Sequence, residues 1–242
     1  MIKLFADGAD INSIKRLASQ KEIKGFTTNP TLMKQAGITD YEKFSREVIS
    51  YLAENRPDTC LSLEVFADEM DEMARQAHVI NSWSKEYNYS VYVKIPVTNT
   101  KQIPNFSLME KLSNDGIRLN VTALFTPYQI ISSINSLHKD VPAIISVFAG
   151  RIADTGVNPV PIIEDGMSYV LNECPNAPFE FLWASPREAY NYVQAEECGC
   201  HIITMSEDQI KKVLNFGKSL QTFSLETVNM FYNDAVASGF KI

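Results

Sequence analysis

Histidine is scarce in this 242-residue chain: the three present, His78, His138 and His201, fall at no spacing that would present two imidazoles to one metal ion. Zinc-assisted chemistry is therefore not expected. The four cysteines, Cys60, Cys174, Cys198 and Cys200, also lack zinc-ligand spacing, and the Cys198-Gly199-Cys200 pair reads as small apolar residues near a helix end. A reducing cytoplasm is the simplest home for such a chain. No apolar run approaches the length of a membrane span or a signal segment, so no membrane association is expected. Positive charge is in deficit, with 22 Lys and Arg against 29 Asp and Glu and a net charge of −7. A general nucleic-acid binder needs a basic surface, so that class is disfavoured, although local cations could still hold a small anion. After the first strand candidate stands "DGADINS" instead of a glycine-rich dinucleotide fingerprint.

What the chain does have is alternation. Eight β-rich runs, at 2–7, 24–29, 61–66, 91–97, 117–122, 143–148, 179–185 and 201–205, are separated by longer stretches of helical periodicity. One of these, "DEMDEMARQAHVINSWSKEY", repeats Met70, Met73, Ala74, Ala77, Val79, Ile80 and Trp83 at helical spacing, which marks a core stripe. Eight strands with intervening helices in a chain of this size predict an α/β fold of the (β/α)8 TIM barrel type, spanning 1–242 as one domain. A further helical segment at about 222–242 is either a cap or an arm that packs on a neighbouring subunit. Its stretch "TVNMFYNDA" offers apolar surface for a homo-oligomer.

Within each strand, alternation also separates the face against the helices from the barrel interior. The apolar sets Leu61/Leu63/Val65, Val91/Val93/Ile95/Val97 and Ile117/Leu119/Val121 face outward. That turns Ser62 and Glu64, Lys94, and Arg118, Asn120 and Thr122 inward. The same rule sends Lys3, Phe5 and Asp7 of the first strand, and Ile144, Ser146 and Phe148 of the sixth, to the interior. Lys3 and Arg118 lie at strand beginnings and should reach solvent at the opposite mouth. Taken alone, Lys94 in "SVYVKIPVT" would fit an edge strand with one solvated face equally well. An unpaired buried polar group costs roughly 1 to 3 kcal/mol, and folding leaves only about 5 to 15 kcal/mol in all. Packing alone would hardly assemble Asp7, Glu64, Lys94, Asn120, Thr122 and Ser146 at one end of a barrel.

A lysine in a closed pocket can add to a ketone as a neutral amine and form a Schiff base, an electron sink for the adjacent carbon–carbon bond. Burial favours its neutral form and nearby carboxylates its charged one, so the balance is not written in the sequence. This chemistry needs carboxylates to move protons and a hydroxyl to hold water, but neither metal nor cofactor. Two arginines, Arg151 in "SVFAGRI" and Arg187 in "LWASPREAY", follow late strands, where barrels often hold phosphate. Ser185-Pro186-Arg187 reads as a helix start, with free amides and a guanidinium to grip one anion.

These motifs, in this order, resemble those of the transaldolase family, in the group that includes the short-form transaldolases and the fructose-6-phosphate aldolases. "FADGAD", "GFTTNPTLM", "VYVKIPVT", "GIRLNVTALFTPYQ", "ISVFAGRI" and "ASPRE" carry the likeness, which runs from the first strand to about residue 216. The resemblance implies Lys94 as the Schiff-base lysine and Asp7 as the group that handles the hydroxyl proton in carbon–carbon cleavage. It implies Glu64 and Thr122 at the water, and Thr28, Asn29, Asn120, Ser146 and Phe148 around the sugar. It gives the phosphate to Arg151, Ser185 and Arg187. Substrates would be sugar phosphates, with no cofactor and no metal. Glu64 and Phe148 match the transaldolases, where the aldolases carry glutamine and tyrosine. The expected activity is transfer of a dihydroxyacetone unit, for instance from fructose 6-phosphate to erythrose 4-phosphate. A lyase that frees dihydroxyacetone, a transferase for sulfonated sugars, and a binding barrel without turnover stand as alternatives. Val147 departs from a common proline, and the path of "ADTGVNPVP" (153–161) is not assigned.

Overall fold

The computed structural model describes residues 2–242. Eight parallel strands close into a barrel in chain order, with the last pairing to the first. They are β1 (Lys3–Asp7), β2 (Ile23–Thr27), β3 (Cys60–Glu64), β4 (Ser90–Pro96), β5 (Leu119–Leu124), β6 (Ala143–Val147), β7 (Phe179–Trp183) and β8 (Ile202–Met205). Around them lie α1 (Ile11–Ala18), α2 (Pro30–Gln35), α3 (Tyr41–Asn55), α4 (Met70–Glu86), α5 (Phe106–Asn114), α6 (Pro127–Ser136), α7 (Ala149–Ala153), α8 (Val160–Glu173), α9 (Asn191–Glu197) and α10 (Glu207–Leu214). A final helix, α11 (Leu220–Ser238), ends at Gly239, whose φ of 66° closes it in the left-handed conformation.

The two faces of each strand separate as alternation requires. Leu61, Leu63, Val91, Val93, Ile95, Leu119, Val121, Ala143, Ile145 and Val147 join the helices in the main core. Phe5, Ile144, Leu182, Ala184 and Ile202 form a second cluster inside the barrel, with Tyr92 and Phe148 against it. The α4 stripe behaves similarly: Met73, Ala74, Ala77, Ile80 and Trp83 are buried, while Met70 and Val79 lie at its margins. Gly25 of β2 is required by this interior, because a Cβ there would come within 2.5 Å of the Phe5 ring.

The interior is layered. At the mouth formed by strand beginnings, Lys3 Nζ pairs with Glu180 Oε1 at 2.6 Å and Arg118 donates to Ser90 Oγ at 2.7 Å. The apolar cluster plugs the middle. At strand ends polar side chains take over, as expected for a barrel that places its chemistry on that face. Several helices start there with strong local signals: Thr126 and Gln129 form a capping box before α6, as do Ser206 and Gln209 before α10.

One expected element is absent. Ser185-Pro186-Arg187 does not begin a helix; α9 starts at Asn191. Ser185 adopts a φ of +60°, and its carbonyl packs on Gly150, where a Cβ would lie 1.7 Å from the Ser185 oxygen. Asn191 Oδ1 then accepts the amides of Arg187 at 2.7 Å and Glu188 at 3.1 Å. A side-chain carbonyl thus satisfies the backbone donors that a helix start would have left free for an anion.

Candidate active site

Strand register builds the centre of the site. Glu64 is the Cα partner of Lys94 across β3 and β4, and Lys94 is the partner of Asn120 across β4 and β5. Three inward side chains therefore share one layer. They open on a cavity of about 530 Å³ also lined by Asp7, Thr27, Asn29, Thr122, Ser146, Phe148, Arg151, Ser185 and Thr204.

Lys94 is largely enclosed, its side chain 14% exposed, with Nζ 3.7 Å from Glu64 Oε2. It also donates to the carbonyl of Thr28. Thr28 itself is fully buried and does not line the cavity. Instead its hydroxyl donates to Glu64 Oε2 at 2.9 Å. Thr28 thus holds the acid through its side chain and the amine through its backbone, a different place from the sugar contact expected of it.

The neighbouring Asn29 explains the Thr-Thr-Asn-Pro spacing. Its backbone is extended, its Oδ1 caps α2 by accepting the Leu32 amide at 3.0 Å, and Pro30 fills the first helical position. Its Nδ2 is left to face Asp7 Oδ2 at 3.5 Å. Asp7 also accepts from Thr27 Oγ1 at 2.8 Å, and Thr27 in turn meets Thr204 at 2.6 Å. Thr204 was open to the same alternation rule, since Ile203 and Met205 of β8 face the helices.

On the other side of Lys94, Ser146 Oγ donates to Asn120 Oδ1 at 2.6 Å, and Asn120 Nδ2 donates to Ser62 Oγ at 3.0 Å. The polar interior is thereby hydrogen-bonded as a network, which fixes rotamers and offsets the cost of burial. Thr122 sits just before a bulge in β5, where Ala123 takes a φ of +59° and the register shifts. Such a kink at a strand end re-aims the side chain before it.

Burial pushes Asp7 above the ordinary carboxylate range, against the opposing pull of Lys94 and of the Thr27 and Asn29 hydrogen bonds. Glu64 is raised for the same first reason, with Lys94 and Thr28 opposing. Both acids are displaced towards the neutral range in which proton-transfer groups work best. Glu64 Oε1 is buried and has no hydrogen-bond partner among the described residues. Also among the described residues, no group of three or more His, Cys, Asp or Glu side chains is placed to hold a metal ion.

The anion end differs from the sequence expectation. Arg151, on α7, lines the cavity and lies over the Phe148 ring at 5.4 Å, while Phe125 backs Phe148 at 5.8 Å. Arg187 does not line the cavity. Its Nε donates to Asp154 Oδ1 and Oδ2 at 3.1 and 3.0 Å, and its Nη2 also reaches Oδ2.

Residues 4–242 match the family described as Transaldolase/Fructose-6-phosphate aldolase. The chain belongs to the transaldolase/fructose-6-phosphate aldolase family. A protein of Dehalococcoides mccartyi named "Probable transaldolase" is 31% identical over 204 residues, 84% of this chain and 86% of that one. Another of that name, from Streptococcus agalactiae serotype V, is 30% identical over 225 residues, covering 92% and 95% of the two chains. Among solved structures, a Sinorhizobium meliloti protein assigned provisionally as an isomerase, in an open-loop conformation, aligns with a TM-score of 0.55 at 7% identity. That alignment covers 87% of this chain and 53% of the other, so it speaks to the barrel fold only. For this transaldolase/fructose-6-phosphate aldolase family member, every residue to which the resemblance gives a role lines this cavity except Thr28 and Arg187.

Proposed function

We propose that this chain is a transaldolase that moves a dihydroxyacetone unit from a ketose phosphate such as fructose 6-phosphate to an aldose phosphate, through a Schiff base on Lys94. The observation that carries the reading is an enclosed amine 3.7 Å from one raised acid, in a cavity that a second raised acid also lines. In this reading the Lys94 amine adds to the C2 ketone and water leaves. Asp7 takes the proton of the C4 hydroxyl, the C3–C4 bond breaks, its electrons enter the iminium, and the aldehyde departs. The resulting enamine adds to the acceptor aldehyde, and water then returns to free the new ketose. Glu64 Oε1, buried with no hydrogen-bond partner among the described residues, is suited to accept from that water, and Thr122 lines the same cavity. Asn29, Asn120 and Ser146 supply hydrogen bonds for sugar hydroxyls, and Arg151 with Ser185 receives the terminal phosphate. Proton movement is carried by these side chains without metal or cofactor.

Transfer prevails over release in this proposal because Phe148, which lines the cavity, has no proton for the enamine. Phe148→Tyr should therefore raise the release of free dihydroxyacetone from fructose 6-phosphate, without acceptor, by at least about tenfold. An unchanged release rate would remove Phe148 from this role.

We further place the protein in the cytoplasm, a setting compatible with its four free cysteines. No helix among the described residues is long and apolar enough to cross a membrane. Copies are proposed to assemble through α11, in which no residue is buried and Leu220, Phe223, Leu225, Val228, Phe231 and Tyr232 stand exposed. So large an apolar face is normally covered. Sedimentation of the full chain should give an oligomer, and of a chain ending at Gly217 a smaller species; equal masses would contradict this.

A further inference from the structure

Arg187 and Asp154 raise a question that the proposed reaction does not answer. Two guanidinium groups flank the anion end of the cavity, but only Arg151 lines it; among the described residues Arg151 makes no ion pair. Arg187 is gripped through Nε and Nη2 by Asp154, the residue that closes α7 three positions after Arg151. The backbone amides of Arg187 and Glu188 are already spent on Asn191. The cluster Arg151, Arg187 and Asp154 therefore carries a formal charge of +1 rather than +2.

We propose that Asp154 is a specificity-determining residue: an internal counter-ion that competes with the substrate's terminal anion for Arg187 and so sets how strongly this end of the site favours a phosphorylated sugar. The inference rests on the proposed transaldolase reading for its choice of substrate, while its electrostatics need only the anion end. Asp154 and Arg187 are 51% and 48% exposed, so the pair is solvated and can exchange partners without a large penalty. A carboxylate and a phosphate ask for the same fork of donors, and the guanidinium cannot give its Nε and Nη2 to both. Gly150 holds the two segments close enough for this choice to exist. With no side chain there, the Ser185 carbonyl seats on α7, and the Arg187 stem passes 3.4 Å from where a Cβ would be. While Asp154 keeps Arg187, the terminal anion meets Arg151 on its Phe148 platform and the turn at Ser185. Removing the carboxylate frees the second arginine to join them.

The test uses the full chain, Asp154→Asn, Arg187→Met and the double variant. Inorganic phosphate is titrated at constant low ionic strength, since screening would mask the effect. Asp154→Asn should bind phosphate about two- to fivefold more tightly, the range open to an exposed ion pair. The gain should vanish in the double variant. In turnover assays, the KM for fructose 6-phosphate should fall by a similar factor in Asp154→Asn with kcat little changed. The KM for unphosphorylated fructose should stay where it is. A purely structural Asp154, one that merely ties α7 to the 185–187 turn, would instead weaken phosphate binding and move both KM values together. Equal or weaker phosphate binding by Asp154→Asn overturns the proposal, as does a gain that persists without Arg187. If none of the four proteins turns over fructose 6-phosphate yet the phosphate affinities differ as stated, the transaldolase reading fails and the role of Asp154 stands.

Discussion

Lys94→Met is expected to lower transfer from fructose 6-phosphate by at least about a thousandfold, because it removes the only atom proposed to form a covalent bond with the substrate. The loss should fall on kcat and on kcat/KM together, since Arg151 and the hydroxyl-binding groups that place the sugar are untouched. The barrel should survive the change. Methionine fills the volume of the lysine stem, and Lys94 lies between β3 and β5 in a strand whose outward residues Val91, Val93 and Ile95 are fully packed. What changes is the electrostatics of its neighbours. Lys94 is the leading influence that holds down both Asp7 and Glu64 against burial. Without it, each carboxyl should retain its proton to higher pH, the direction set by desolvation alone. Near-normal folding with no turnover is the expected pair of results. Measurable transfer within tenfold of the unaltered protein would show that another group performs the chemistry.

Asp7→Asn should separate the two halves of the reaction. Removing a positioned general base costs typically about 10² to 10⁴ in rate, and here the loss should be confined to carbon–carbon cleavage. Formation of the imine at Lys94 should continue, because Glu64, hydrogen-bonded through Thr28 and 3.7 Å from the amine, remains in place. The variant should therefore accumulate a ketose adduct that it cannot cleave. Stability gives an independent reading of the same carboxyl. Burial raises the folded-state pKa of Asp7 above its unfolded value of about 3.9. A group shifted in this direction contributes its stabilisation below the unfolded pKa and loses it as pH rises through the folded one. At neutral pH the ionised carboxylate is thus a cost that asparagine avoids. The thermal midpoint of Asp7→Asn should equal or exceed that of the unaltered chain at pH 7, with the difference narrowing towards pH 4. A variant that loses both adduct formation and cleavage would assign Asp7 to the wrong step.

How much of this architecture the sequence carried depends on the range of the interactions involved. Strands are governed by nearest neighbours, and alternation placed all eight within two residues at either end. The same alternation decided which side chains enter the barrel, so Asp7, Glu64, Lys94, Asn120, Thr122 and Ser146 meet in one cavity. Thr204 obeys it too, in "HIITM". The anion end was less legible because its geometry comes from distant partners. Serine followed by proline and arginine looks locally like a helix start, yet Ser185 is turned to a positive φ by its seat on Gly150, 35 residues earlier in the chain. Arg187 is claimed by Asp154, which sits in the stretch 153–161 whose path no local rule predicts; it ends α7 and leads into α8. Thr28 shows a subtler limit. Its place in the Thr-Thr-Asn-Pro run marks it as part of the site, but only the packing shows that it faces Glu64 and not the cavity.

The central claim, a covalent bond between substrate and Lys94, is open to one direct measurement. Borohydride reduction of the protein with fructose 6-phosphate, followed by peptide mass mapping, should find a stable secondary amine on the peptide that contains Lys94 and on no other. An adduct at a different lysine, or turnover of the sugar with no adduct trapped anywhere, would contradict the account.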